Sequence, residues 1–222
     1  MKTGDVALPA ARTRSSDFVV LAKPRLNFLV VGSTLAGYVM GGGDTSNVVR
    51  LVCTLAGTGL VAGGASAFNQ VIERRPDALM RRTRLRPLPD GRLLPRESLV
   101  FATLMSVAGL AMLAAGANLL SAAVAFATLV TYAAIYTPLK LRSSFATVIG
   151  AIPGALPPVI GWTAARGDLS QGAWVLFGIL FLWQLPHFLA IALFRKEEYA
   201  AAGLTSVPLA KGDGEPGLPS AA

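Results

Sequence analysis

Three residues with hard oxygen ligands follow one another at intervals of four: Asn69, Glu73 and Asp77. Positions four apart lie on one face of a helix, so this spacing groups an amide with two carboxylates. Such ligands suit Mg²⁺, which proteins hold through one or two carboxylates together with substrate phosphates. Guanidinium groups that can grip phosphate oxygens in pairs follow directly, at Arg81, Arg82, Arg84 and Arg86. The segment therefore predicts a site for magnesium and a phosphorylated substrate.

The same segment has a plainer interpretation. Pro76 disfavours helix at the preceding Arg75, so the two carboxylates can flank a break instead of sharing a face. In that case the arginines are anchors at the membrane end of a helix, and Glu73 and Asp77 simply pair with them. The charge pattern alone slightly favours this second interpretation.

Two further groups contain residue types that can do chemistry. The segment 195–199 includes the acidic residue Glu198, although a solvated chain end is the favoured interpretation of this segment taken by itself. Trp183-Gln-Leu-Pro-His-Phe188 places Gln184 and the only histidine, His187, within an apolar run. Polar side chains at such depth are costly and usually face a cavity or the bundle interior. A hydrogen-bonded structural histidine is an equally good interpretation of His187.

The elements that position these residues are membrane helices. Hydrophobic residues make up 53% of the 222-residue chain and charged residues 14%, which excludes an ordinary soluble domain. A helix needs about 20 apolar residues to cross a bilayer. The uncharged runs predict an all-α polytopic membrane bundle, because a closed barrel requires an alternation that they lack. We place six spans, at 26–43, 50–72, 98–116, 119–138, 143–164 and 171–194.

Basic residues orient this bundle. Eighteen of the 20 Lys and Arg residues fall on one side of the membrane, which the positive-inside rule assigns to the cytoplasm. We therefore expect a cytoplasmic segment 1–25, a bundle 26–195 with a catalytic cytoplasmic loop 73–97, and a partly disordered cytoplasmic tail 196–222. The net charge of +8 follows from this topology, and no module for binding nucleic acid accompanies it. The single cysteine, Cys53, excludes an intramolecular disulfide.

Five segments, in the right order, resemble the UbiA-type intramembrane prenyltransferases. The stretch from Asn69 to Leu88 is similar to the aspartate-rich motif of that family. The other matching segments are Leu21-Ala-Lys-Pro-Arg25, Tyr136-Thr-Pro-Leu-Lys140, Gly150-Ala-Ile-Pro-Gly154 and Trp183-Gln-Leu-Pro-His-Phe188. Within the family, the likeness is to the branch that farnesylates haem.

The resemblance implies an enzyme of the cell inner membrane that transfers the farnesyl group of farnesyl diphosphate to a vinyl group of haem B. It makes Asn69, Glu73 and Asp77 the catalytic residues. It implies Mg²⁺ as cofactor, with metal ligands at Glu73, Asp77 and Glu198. It assigns the substrate contacts to Arg82, Arg86, Tyr136, Lys140, Gln184 and His187. Besides the substrates and the lipid bilayer, it implies haem A synthase or cytochrome oxidase assembly proteins as partners.

Three departures from the family pattern keep two alternatives open. Glu73 and Glu198 stand where the family commonly has aspartate, and Arg75 replaces a carboxylate found in many members. The family ordinarily has about nine spans of the length that a bilayer demands, whereas six are predicted here. One alternative is a related UbiA-type prenyltransferase that acts on a quinone precursor. The other is a truncated, non-catalytic fragment.

Overall fold

The computed structural model describes residues 13–80, 82–140, 143 and 146–194, and within these ranges it contains helices but no strand. A π-helix at Thr131–Tyr136 interrupts the series of α-helices. The α-helices are α1 (Arg14–Ala22), α2 (Pro24–Met40), α3 (Val48–Ile72), α4 (Arg74–Leu79), α5 (Pro95–Gly116), α6 (Leu119–Val130), α7 (Thr137–Leu139), α8 (Ala146–Ala155), α9 (Pro157–Arg166) and α10 (Gln171–Phe194). The predicted all-α fold is confirmed.

Six membrane crossings can be assigned within the described ranges. Five are long, apolar helical segments: Val48–Ile72, Pro95–Gly116, Leu119–Leu139, Ala146–Arg166 and Gln171–Ile191. The bent pair α1 and α2, which meet at 42°, provides the sixth when it is taken as one broken span. The predicted number of spans therefore agrees with the structure.

Two predicted boundaries need correction. The first span, placed at 26–43, is displaced, because α2 begins at Pro24 and ends at Met40, where Gly41 and Gly42 form a turn. The predicted loop 73–97 is partly helical, since it contains α4 and its last residues belong to α5. α2 and α5 each begin with a proline, at a position where the missing N–H has no intrahelical partner to lose.

The bend between α1 and α2 is fixed by side chains. Lys23 adopts a left-handed backbone conformation with φ at 49°, which no other non-glycine residue does in the described part of the chain. Gln70 of α3 donates from Nε2 to the Leu21 carbonyl at 2.8 Å. Asn27 of α2 donates from Nδ2 to the Ala22 carbonyl at 2.6 Å. These bonds satisfy carbonyls that the break would otherwise leave unpaired, so the bend is held from two helices.

Small residues allow the helices around α3 to approach closely. An added Cβ at Gly57 of α3 would lie 3.0 Å from the Gly109 carbonyl oxygen of α5, and one at Gly64 would lie 2.7 Å from that of Ala102. At Gly161 of α9, an added Cβ would overlap the backbone of α2. Such close backbone approach drives helix association in lipid, where burial of apolar surface supplies little force. α3 contacts α1, α2, α5, α6 and α9, and its last turn carries the predicted site.

α10 lies at the edge of the bundle. It packs on α8 and α9, and only Ala173 and Gln184 are buried among its described residues. Large apolar side chains cover the remaining faces, including Trp174, Ile179, Leu182 and Phe194. An exposed apolar surface of this kind suits contact with lipid.

Candidate active site

A cavity of about 170 Å³ lies where α3 ends. Its walls come from the α1–α2 junction, the last turn of α3, α4 with the loop that follows it, and the segment 132–140. The lining residues are Lys23, Asn69, Glu73, Asp77, Met80, Arg82, Arg86, Tyr132, Tyr136 and Lys140. The structure thus brings together seven predicted site residues, namely Asn69, Glu73, Asp77, Arg82, Arg86, Tyr136 and Lys140. Two carboxylates and four cations in one cavity are suited to holding a polyanion and a metal ion.

Each buried carboxylate pairs with one cation. Asp77 Oδ2 accepts a hydrogen bond from Arg86 Nη1 at 2.6 Å, and Glu73 Oε1 accepts one from Lys140 Nζ at 3.2 Å. Asp77 is 1% exposed and Glu73 is 5% exposed, so bulk water screens neither pair well. The other oxygen of Asp77, Oδ1, is buried without a hydrogen-bond partner among the described residues. An uncompensated buried oxygen of a carboxylate offers a ligand position to a cation.

Glu73 and Asp77 line the same cavity although the helix breaks between α3 and α4. Glu73 ends α3 with ψ at 5°, and Pro76 lies in the first turn of α4. The Asp77 amide still donates to the Glu73 carbonyl at 2.9 Å, so one helical turn connects the two residues. The break is therefore present, and the shared face survives it. Arg75 is exposed and lies outside the cavity lining, so its positive charge does not enter the site.

The loop after α4 folds back and brings arginines to the cavity. Thr83 Oγ1 donates to the Asp77 carbonyl at 2.8 Å. The Arg86 amide in turn donates to the Thr83 carbonyl at 2.9 Å. These two bonds reverse the chain direction directly beside the carboxylates, which places Arg82 and Arg86 at the cavity.

An ion pair ties the far end of this loop to α1. Arg92 Nε lies 3.1 Å from both carboxylate oxygens of Asp17. Arg92 also donates from Nη2 to the Leu85 carbonyl at 3.1 Å, so a single side chain joins α1 to the middle of the loop. Asp17 is only 2% exposed, and a buried carboxylate depends on its partner far more than a surface one does.

Lys23 lines the cavity but was not predicted as a functional residue. Its Nζ donates to Asn69 Oδ1 at 3.1 Å, which connects the α1–α2 junction to the last turn of α3. Lys23 lies at the bend between α1 and α2 with a left-handed backbone, and its side chain lines the cavity. The signal in the sequence is the Lys23-Pro24 pair, since the residue before proline is disfavoured in a helix and marks a break.

Tyr132 and Tyr136 line the cavity from the π-helix, and their ring centroids are 5.5 Å apart. A π-helix often occurs at a functional site, because its wider turn changes which residues share a face. Tyr136 packs on Gly150 of α8, where an added Cβ would lie 2.5 Å from the ring. Tyr132 was not predicted, although its spacing of four from Tyr136 indicates a shared helix face.

The profile of the UbiA prenyltransferase family matches residues 30–216. This chain belongs to the UbiA prenyltransferase family. Two relatives are the protoheme IX farnesyltransferases of Myxococcus xanthus, 50% identical over 201 residues, and of Solibacter usitatus, 47% identical over 206 residues. The alignments cover 90% and 89% of this chain, and 68% and 70% of those two proteins.

Solved UbiA structures have the same fold. A UbiA homolog from Archaeoglobus fulgidus bound to DMAPP and Mg²⁺ superposes with a TM-score of 0.68 at 19% identity, covering 85% of this chain and 67% of that one. The same homolog bound to GPP and Mg²⁺ gives a TM-score of 0.65 at 16% identity, over 85% and 66% of the two chains. At these identities the likeness establishes the fold, which is the UbiA-type helical bundle.

Gln184 and His187 do not line this cavity of the UbiA-family bundle. Gln184 is buried against Gly154 of α8, where an added Cβ would overlap its amide. His187 is exposed, and its ring stacks on that of Trp183 with centroids 4.8 Å apart. The expectation that both polar residues face the bundle interior therefore holds for Gln184 and is wrong for His187.

Two of the three residues expected to bind metal in this UbiA-family chain, Glu73 and Asp77, belong to the described residues, and their positions fit that role. Glu73 and Asp77 face one cavity, and Asp77 Oδ1 has no other partner among the described residues. Within the same ranges, no three His, Cys, Asp or Glu side chains form a metal-binding group. Glu198, the third expected ligand, lies outside the described residues, as does Arg81. One or two carboxylates completed by substrate phosphates are an ordinary arrangement for Mg²⁺.

Proposed function

We propose that this prenyltransferase moves the farnesyl group of farnesyl diphosphate to a vinyl group of haem B, producing haem O and pyrophosphate. The observation that carries the proposal is the cavity at the end of α3, where two buried carboxylates and four cations surround one space. The relatives named protoheme IX farnesyltransferase, 50% and 47% identical to this chain, support haem B as the acceptor and farnesyl as the prenyl group.

The charges of the cavity match a diphosphate with its metal. Glu73 and Asp77 would hold Mg²⁺, with Asn69 in support. When bound, the ion stabilises the negative charge that develops on the departing diphosphate. Lys140 and Arg86 would then exchange their carboxylate partners for diphosphate oxygens, which need the same hydrogen bonds.

Ionisation of the substrate requires a dry, cation-tolerant space. The C1–O bond of farnesyl diphosphate breaks with its electron pair on the diphosphate oxygen, leaving an allylic cation. The Tyr132 and Tyr136 rings line the cavity and can stabilise that cation through their π-electron faces. Bulk water must be kept from this cation until the vinyl group of haem B attacks it. The vinyl π electrons of haem B then form the new C–C bond, and water adds to the resulting cation with loss of a proton, which gives the hydroxyethylfarnesyl group.

We assign Gln184 and His187 to the haem side of the reaction. The Tyr136 ring packs on Gly150 and the Gln184 amide on Gly154, so consecutive turns of α8 connect the cavity to α10. His187 is exposed on α10, where an amphipathic macrocycle can reach it from the bilayer. An imidazole nitrogen is a common axial ligand of haem iron. This arrangement lets haem approach along α10 while farnesyl diphosphate occupies the cavity.

The chain is a multi-pass membrane protein, and we place it in the cell inner membrane with its N-terminus and active-site loops in the cytoplasm. Eighteen of the 20 Lys and Arg residues lie on that side of the predicted topology, in support of this orientation. A farnesylated macrocycle is poorly soluble in water, so its next carrier must also reach the membrane. Haem A synthase or cytochrome oxidase assembly proteins are partners of that kind.

A direct assay tests the function. Membranes containing the 222-residue chain are incubated with haem B and farnesyl diphosphate, and haem O is sought by mass spectrometry. A variant with Glu73→Ala and Asp77→Ala, expressed to the same level, is the control. Haem O formed by the parent and not by the control supports the proposal. Product formed only with an aromatic quinone precursor favours the related prenyltransferase, and no product from well-expressed parent favours the non-catalytic fragment.

A further inference from the structure

We propose that Thr137 is a positioning residue for diphosphate binding: it orients the Asn69 carboxamide so that the amide oxygen holds the Lys23 ammonium in the cavity. The inference rests on the proposed function to the extent that the cavity takes a prenyl diphosphate. It assigns a role to Thr137, which was not predicted as a site residue and which bonds to the predicted catalytic residue Asn69.

Three hydrogen bonds form one chain through the buried end of α3. Thr137, which is fully buried, donates from Oγ1 to the Tyr132 carbonyl at 2.8 Å. Its Oγ1 lies 3.3 Å from Asn69 Nδ2, and Lys23 Nζ lies 3.1 Å from Asn69 Oδ1. Asn69 is 3% exposed, so water has little access to the amide between these two partners.

The donors and acceptors available to each group fix the direction of every bond in this series of hydrogen bonds. A hydroxyl has one proton, and the Tyr132 carbonyl can only accept, so the Thr137 proton points to that carbonyl. Thr137 can therefore only accept from Asn69, which places the NH₂ group of the amide toward Thr137. The amide oxygen then faces Lys23, whose ammonium can only donate. Reversing the amide would set two donors against each other at Lys23, and the Thr137 proton would have to leave the Tyr132 carbonyl to reach the amide oxygen.

The π-helix is what brings the threonine to this place. In an α-helix, a threonine hydroxyl usually bonds to the carbonyl three or four residues earlier on its own helix. Thr137 instead bonds to the carbonyl five residues earlier, and its backbone N–H bonds to that same carbonyl. The wider turn thus places the hydroxyl between the Tyr132 carbonyl and α3. The π-helix and the orientation of the Asn69 amide are therefore linked through the Thr137 hydroxyl.

The test measures binding of farnesyl thiodiphosphate, a slowly reacting analogue, to the purified chain with Mg²⁺, so that haem is not needed. We expect Thr137→Val to weaken binding about tenfold, because a hydrogen bond that orients a charged group is lost, whereas Thr137→Ser stays within about twofold of the parent. Lys23→Met should weaken binding comparably, and Thr137→Val should add nothing further in the Lys23→Met background. Thr58→Val is the matched control, since Thr58 is buried on α3 and its hydroxyl donates to the Thr54 carbonyl of its own helix.

Equal losses in Thr137→Val and Thr137→Ser, or losses that add in the double variant, would overturn the proposal, because both indicate a purely structural effect. Unchanged binding by Thr137→Val would overturn it as well. If Thr137→Val does not fold, Thr137→Ala removes the same hydroxyl without placing a second methyl group against the amide. A failure of haem O synthesis with the predicted binding pattern intact would count against the proposed function and not against this role of Thr137.

Discussion

Lys140 Nζ lies 3.2 Å from Glu73 Oε1, and 67 positions of the chain separate the two residues. The contact joins the end of α3 to the segment that follows the π-helix, and both residues line the cavity. Glu73 also neighbours Asp77, whose second carboxylate oxygen has no partner among the described residues. A metal ion would therefore compete with Lys140 for the Glu73 carboxylate, and a diphosphate would compete with that carboxylate for Lys140.

Lys140→Met should destabilise the protein, and Mg²⁺ should reverse much of the loss. Removing one member of a buried ion pair costs about 3 kcal/mol, because the other charge remains buried and unpaired. A divalent cation held by Glu73 and Asp77 would compensate that charge. Thermal unfolding in detergent, with and without Mg²⁺, measures both effects. The exposed pair of Arg14 with Glu97 supplies the control, since Arg14→Met should change the unfolding temperature far less, and Mg²⁺ should not affect that change. A loss in Lys140→Met that Mg²⁺ does not reduce contradicts the assigned metal site.

Arg86→Gln should raise the KM for farnesyl diphosphate about tenfold or more, since it removes a charge-assisted hydrogen bond to the diphosphate. The same variant leaves Asp77 without its cationic partner at 2.6 Å, so the requirement for Mg²⁺ should also rise. Initial rates at varied substrate and metal concentrations separate the two effects. Arg84→Gln is the control, because Arg84 is exposed and outside the cavity lining. An unchanged KM in Arg86→Gln would remove this residue from the substrate site.

Asp17→Asn should release the loop that carries Arg82 and Arg86. The substitution weakens a bond from Arg92 to both oxygens of a buried carboxylate, and the expected cost is about 1–3 kcal/mol. Trypsin should consequently cleave this loop faster at Arg82 and Arg84 than in the parent. Peptide mapping after limited proteolysis provides the measurement, with Arg14→Ala as the variant that leaves the loop anchored. Equal cleavage of parent and Asp17→Asn would show that α1 does not hold the loop.

His187→Ala should weaken haem binding and leave prenyl diphosphate binding unchanged, since His187 lies on the outer side of α10 and not in the cavity. Loss of an axial imidazole should shift the Soret band of haem B added to the protein in lipid nanodiscs. Trp174→Phe, near the opposite end of α10 and similarly exposed, serves as the control. A Soret band identical to that of the parent would exclude His187 as the iron ligand.

The core of the candidate site could be predicted from local rules. The spacing of Asn69, Glu73 and Asp77 places them on one face over about two helical turns, and all three line the cavity. Pro76 marks the break that does occur, yet one retained hydrogen bond between the Asp77 amide and the Glu73 carbonyl keeps the face intact. A helix break separates two side chains only when the backbone hydrogen bonds across it are lost. The spacing of residues in the sequence does not show which of those bonds are kept.

The sequence by itself determined an all-helical membrane bundle, its six crossings and the carboxylates at the end of α3, because hydropathy and helical periodicity act over short stretches of chain. Only the tertiary structure decided which distant residues complete the site. Lys23 reaches Asn69 because a left-handed residue bends the first crossing, and Thr137 reaches the same amide because a π-helix rotates it toward α3. His187 faces outward while Gln184, three residues earlier, is buried against α8. Small residues determine how closely two helices pack, and this packing decides which face of each helix is buried. The buried face is therefore a property of a pair of helices and cannot be read from one segment.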